Sequence, residues 1–145
     1  MCWVSYKPPV KKIAKKDILV YKFVNIRSYL TNRCISFFFN FTYILDTKYN
    51  TYIEIRKIGK GERYRWAGHE GFHSYYDKKT ALLEYELYKI NKFTSIVKCI
   101  IPKGSEYYIN EENEIISNSI IILSKKSFLQ KLLNYLNKWK NKILG

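Results

Sequence analysis

The sequence predicts an α+β fold: a single domain, mainly antiparallel sheet, with one central helix at about 78–91 and a C-terminal amphipathic helix at about 128–143. Three observations predict it. At 145 residues the chain is one domain long and able to bury a core without metal or disulfide staples. Its apolar residues, 47% of the total, are spread in short β-branched and aromatic runs separated by turn residues, a strand pattern rather than a disordered one. Helical spacing of apolar residues is confined to two stretches, one in the middle and one at the end.

In order, residues 1–16 carry Pro8, Pro9 and the cluster Lys11, Lys12, Lys15 and Lys16, which reads as a basic, solvated arm ahead of a domain at 17–123, with a phosphate-binding arm as the alternative. Asp17 to Val24 alternates as a first strand, and residues 26–32 read as a loop. The aromatic run from Cys34 to Leu45 suits a buried strand bent near Asn40, joined through the turn residues of 46–50 to a second strand at 51–58 as a hairpin. Gly59, Lys60 and Gly61 interrupt the pattern, and Asp77 is an N-cap for the central helix. On that helix Ala81, Tyr85 and Tyr88 form one stripe and Leu83, Leu87 and Ile90 another, so a broad buried face is expected. Strands follow at 95–101, 106–109 and, as one long segment, 114–123, with turns at 102–105 and 110–113. Ser127 and Gln130 make a capping box for the last helix, within a segment at 124–145 packed on or appended to the domain, and its face of Leu129, Leu132, Leu133, Leu136, Trp139 and Ile143 is expected on the sheet, with a partner surface or a membrane as alternatives.

Lys and Arg outnumber Asp and Glu by 26 to 12, a net charge of +14 that favours an anionic partner: a nucleotide, nucleic acid or an anionic surface. Codon bias in an AT-rich genome accounts for part of the excess lysine. Cys2, Cys34 and Cys99 are odd in number and widely spaced, which argues against a disulfide framework or zinc site and for a reducing cytoplasm. The apolar runs are too short and too interrupted to span a membrane.

Both histidines fall within Ala67 to Tyr76, next to Arg63, Arg65 and Trp66. Guanidinium groups beside flat rings suit an anion whose ring is stacked, or equally an exposed strand whose Arg stems cover the rings. His69 and His73 are four apart, but Gly68 and Gly71 oppose a helix and no third ligand is near, so no metal is expected. Ser74 and Ser105 lie outside any nucleophile elbow, Cys99 reads as an inert buried thiol, and no cofactor motif is present. The ligand set that emerges is Arg63, Arg65, Trp66, His69, His73, Tyr75, Lys103 and Tyr107, without a catalytic residue. The first turn of the central helix, with Lys78 and Lys79, is expected to add free amides for a phosphate.

Val20-Tyr21-Lys22, Gly71-Phe72-His73-Ser74-Tyr75, Cys99-Ile100-Ile101-Pro102-Lys103-Gly104 with Tyr107-Tyr108, and Ser117-Asn118 together resemble a group of small phage and gut-bacterial proteins over residues 1–123. The order of these elements is also similar to the second half of ADP-ribosyltransferase-like folds. That second resemblance implies a catalytic Glu-x-Glu; Glu112 and Glu114 have the spacing, but their polar turn reads as solvated charge. By analogy with phage nucleotide sponges, the expected function is sequestration of an anionic nucleotide immune signal without cleavage, in the host cytoplasm. The alternatives are an NAD- or nucleotide-processing enzyme using His69, His73 or Glu114, and a basic module for nucleic acid or a host protein. A homo-oligomer sharing its site between chains is a further expectation.

Overall fold

The computed structural model describes residues 3–25, 33–36, 41–88 and 94–144. The expected loop at 26–32, the bend near Asn40 and the end of the central helix beyond Tyr88 lie outside them, as do the side chains of Leu87, Tyr88, Ser127, Leu129, Gln130 and Leu132. The α+β expectation is met: among these residues short antiparallel strands dominate, with one central and one C-terminal helix.

The centre of the fold is the pairing of β3 (Ile18–Asn25) with β10 (Thr94–Ile101) along their whole lengths, from Ile18 opposite Ile101 to Asn25 opposite Thr94. Both strands are β-branched on alternate positions, so one face of the pair collects Val20, Val24, Val97, Cys99 and Ile101, all buried. Further antiparallel strands extend this sheet to either side. On one side lie β9 (Phe72–Tyr75), β12 (Glu114–Ser117), β11 (Glu106–Ile109) and β2 (Lys12–Ile13); on the other lie β13 (Ser119–Ile122) and β6 (Lys48–Asn50). Ile115, Ile120 and Ile122 complete the core on that face. Each fully buried aliphatic side chain contributes roughly 2 kcal/mol by leaving water.

The opposite face holds a smaller cluster of Phe23, Tyr75 and Ala81, where α1 (Lys78–Tyr88) packs. Asp77 caps that helix as expected, its Oδ1 accepting from Thr80 N at 2.7 Å. Of the expected buried face, among the described side chains, Ala81 and Tyr85 meet the sheet while Leu83 is 57% exposed. A three-stranded sheet of β1 (Val4–Ser5), β8 (Arg65–Glu70) and β7 (Glu54–Ile58) adjoins the large one.

Four further expectations are corrected. The basic lead keeps its lysines exposed but is not a free tail: Trp3 is 1% exposed and donates Nε1–H to the Glu114 carbonyl at 2.9 Å, Ala14 is buried, and β1 and β2 join the two sheets. The aromatic run forms two strands, β4 (Arg33–Ser36) and β5 (Thr42–Ile44), which pair with each other, while the 51–58 segment pairs with β8 instead. Asp46, at φ 59, turns the chain there and ties it to the end of β13, donating its N–H to Ile122 O and accepting from Ser124 N. The long strand at 114–123 is broken at Asn118, whose N–H and Oδ1 bond Glu106 O and N at the start of β11, so β12 and β13 take different neighbours. The last helix, α2 (Lys125–Leu144), starts before Ser127, and Leu133, Leu136, Trp139 and Ile143 are exposed rather than packed on the sheet.

Candidate functional site

The stretch carrying both histidines passes from β8 of the small sheet to β9 of the large one, with a bend at Gly71 between them. Gly68 and Gly71 are there for a packing reason: a Cβ on either would lie 2.5 Å from the Ile116 side chain, and Gly71 has φ +132. His69 stays on β8 and is exposed, whereas His73 lies on β9 opposite Ile116, largely shielded from water. Burial first, and the charge of Lys22 second, hold the His73 imidazole down to about 3, so it is neutral at physiological pH. Lys22 Nζ donates to the His73 carbonyl at 2.7 Å. Tyr75 is a core residue, packed on Phe23 with ring centroids 5.1 Å apart. The Ser74 hydroxyl is buried without a hydrogen-bond partner, out of reach of a substrate.

Arg63, Arg65 and Trp66 belong to the three-stranded sheet and the short helical turn before β8. Lys57 extends from β7 over the neighbouring rings, its Nζ 3.8 Å from the Tyr64 centroid and 5.7 Å from that of Trp66. Both arginines are exposed, and the rings meet edge to face at 5.1 Å. Here the cation over the rings is Lys57, which neither arginine reading of this composition named. Of the eight predicted ligand residues, Tyr107 alone lines the cleft described next.

That cleft, about 760 Å³, is lined by Lys12, Lys15, Lys16, Asp17, Tyr76 and Tyr107, with Ile13, Ile18 and Leu19 as its apolar wall. Local chain geometry builds it. β2 pairs with the start of β11, Ala14 N donates to Ser105 O, and Gly104 N donates back to Ala14 O, which leaves Lys15 and Lys16 on a bend before β3. Asp17 is engaged by Lys103 N at 2.9 Å, which brings Lys103, another predicted residue, to the same end of the sheet. Among the described residues the ion pairs are Lys11 with Glu106 and Arg56 with Glu54, so Lys12, Lys15 and Lys16 have no carboxylate partner within 4.0 Å. Tyr76 presents an exposed ring. Cation, ring and apolar wall in a cavity of this size suit a small anionic molecule that carries a flat ring.

The helix N-terminus is not part of the cleft's lining, and there the Asp77 carboxylate takes the Thr80 N–H.

A second locus lies on the face that carries α1. Glu84, Glu112 and Glu114 bring carboxylate oxygens within 4.8 Å of one another. Asn110 shapes it, with Oδ1 accepting from the backbone N–H of both Glu112 and Glu114 and Nδ2 donating to Val4 O. The reading of Glu114 as solvated is corrected, since it is buried; Asn113, at φ 60, turns the chain so that Glu112 stays exposed. Burial, then the charges of Glu84 and Glu112, push the Glu114 carboxyl up to about 7. Burial first and Glu112 second also raise Glu84. Such a group exchanges a proton near neutral pH, and an oxygen-only donor set is of the kind hard divalent cations accept. The sequence signals were the Glu-x-Glu spacing for Glu114 and the basic cluster of residues 11–16 for the cleft lysines; Glu84 carried none, because its relevance depends on a contact made across the fold. No family model, curated protein or solved structure matches the chain.

Proposed function

We propose that the protein binds an anionic, nucleotide-class small molecule in the cleft and holds it without cleaving it. The observation that supports this is the triad of unpaired lysines, Lys12, Lys15 and Lys16, facing the same 760 Å³ space as the rings of Tyr76 and Tyr107. The lysines act as point charges for phosphate, and the exposed Tyr76 ring stacks a base. In the setting of the phage-type proteins that the chain resembles, such binding withdraws a signalling nucleotide in the host cytoplasm.

The test is capture and release. The protein is mixed with cyclic dinucleotides, cyclic ADP-ribose isomers and NAD, freed of unbound compound and heat-denatured, and the released material is identified. One compound recovered intact is expected, with at least tenfold weaker capture by the double variant Lys15→Glu and Lys16→Glu. Capture that survives this reversal but fails in Arg63→Glu with Arg65→Glu would move the site to the small sheet, and capture of nothing would sink the reading.

A second reading, a nucleotide-processing enzyme, is favoured by the position of the Glu114 carboxyl near 7. Recovery of an altered compound, abolished by Glu114→Gln, would establish it in place of sequestration.

A further inference from the structure

The helix α2 presents a face that the fold leaves uncovered: Leu133, Tyr135, Leu136, Trp139, Ile143 and Leu144 are exposed, Trp139 by 59%. At 100° per residue these side chains share one arc of the helix. The same 20 residues contain six lysines and no acidic residue, with Lys138 and Lys142 one turn apart on the flank beside Tyr135 and Trp139. The helix is about 30 Å long.

Three kinds of occupant meet this surface differently. A nucleic acid satisfies the lysines and leaves the apolar arc in water. A second copy of the helix covers the arc but brings together two surfaces of +6, with no carboxylate on either to pair them. An apolar groove on another protein buries Lys140, which falls within the arc between Leu136 and Leu133, without a partner. The headgroup region of an anionic bilayer satisfies all of these groups together. The aliphatic residues enter the acyl boundary, Tyr135 and Trp139 sit at the headgroup level, and the lysines meet lipid phosphates, Lys140 by extending its stem back to the interface.

We propose that α2 lies flat in the surface of an anionic membrane, apolar arc inward, and holds the domain there. It does not span: no described helix is long and apolar enough to cross a bilayer.

The test uses the full chain and sedimentation with vesicles, either phosphatidylcholine alone or phosphatidylcholine with 30% phosphatidylglycerol. Binding to the anionic vesicles at least tenfold stronger than to the neutral ones is expected. A protein of net charge +14 can adsorb by charge alone, so the decisive variant keeps every charge: Leu136→Ser, Trp139→Ser and Ile143→Ser together. These positions are exposed, so the thermal unfolding of the variant should match that of the parent. At least a tenfold fall in partitioning onto anionic vesicles is expected. Unchanged partitioning would reduce the contact to charge adsorption and overturn the proposal. So would absence of binding, or a dimer in sedimentation equilibrium that the triple variant dissociates, since a second copy would then cover the face.

Discussion

The lysine cleft and the glutamate corner both draw on the β11–β12 hairpin, yet like charges have opposite consequences in them. In the cleft, Lys12, Lys15 and Lys16 are exposed, solvent screens their repulsion, and the fold gains or loses little from them. In the corner, Glu114 is buried beside two other carboxylates, and its ionisation opposes folding. Nearby on the same face, His73 is shielded in its neutral form. Exposed charge is available to a ligand, whereas buried charge is coupled to the stability of the chain.

The largest effect that would break this contrast concerns His73. Its imidazole is near 6.5 in the unfolded chain and about 3 in the fold, so the unfolded state takes up the proton first. The contribution is present above 6.5 and is lost as pH falls toward 3. Replacing His73 by Gln should therefore remove about 3 kcal/mol of acid lability between pH 6.5 and pH 4, read as the difference between parent and variant in urea unfolding. A difference that does not change with pH would mean that His73 is not shielded as described.

Glu114 has the opposite sign. Its carboxyl moves from 4.5 in the unfolded chain to about 7 in the fold, so the folded state holds the proton more tightly. That stabilisation is complete below 4.5 and is lost as pH rises through 7. Relative to the parent, Glu114→Gln should gain about 2 kcal/mol between pH 4.5 and pH 8, the figure being reduced because water reaches part of the carboxyl. Between 4.5 and 6.5 the His73 and Glu114 slopes oppose each other in the parent protein. Either single variant should uncover the other's slope in that window, a pattern that independent surface charges would not produce.

The smallest effect sharpens the cleft side. Lys15→Ala with Lys16→Ala should change unfolding free energy by no more than about 0.5 kcal/mol while weakening capture of the anion. A destabilisation above about 1 kcal/mol would show that these lysines support the bend that carries them.

Local signals were legible. The turn at Pro102 to Ser105, with Gly104 at φ +87, the strand at Glu106–Ile109 and the Asp77 cap all appear where residue type and spacing put them, since each depends on chemistry within a few residues. Cys99 is buried mid-strand for the same reason. Strand partners were not legible: residues 51–58 were expected beside residues 34–45 but pair with β8, and one expected strand divides at Asn118. The predicted ligand set was similarly divided. Arg65, Trp66 and His69 lie on the small sheet, His73 and Tyr75 on the large one, and Tyr107 in the cleft.

The sequence by itself determined the class of fold, the positions of its main turns and caps, and an excess of positive charge suited to anions, because these follow from composition and short-range conformational preference. The tertiary structure decided that Trp3 and Ala14 enter the core, that three lysines share a cleft with Tyr76 and Tyr107, and that Glu84 meets Glu114. Those outcomes depend on strand pairings between residues far apart in the chain. Such pairings are chosen by the free energy of burying the whole apolar face, a quantity that no short stretch of sequence contains.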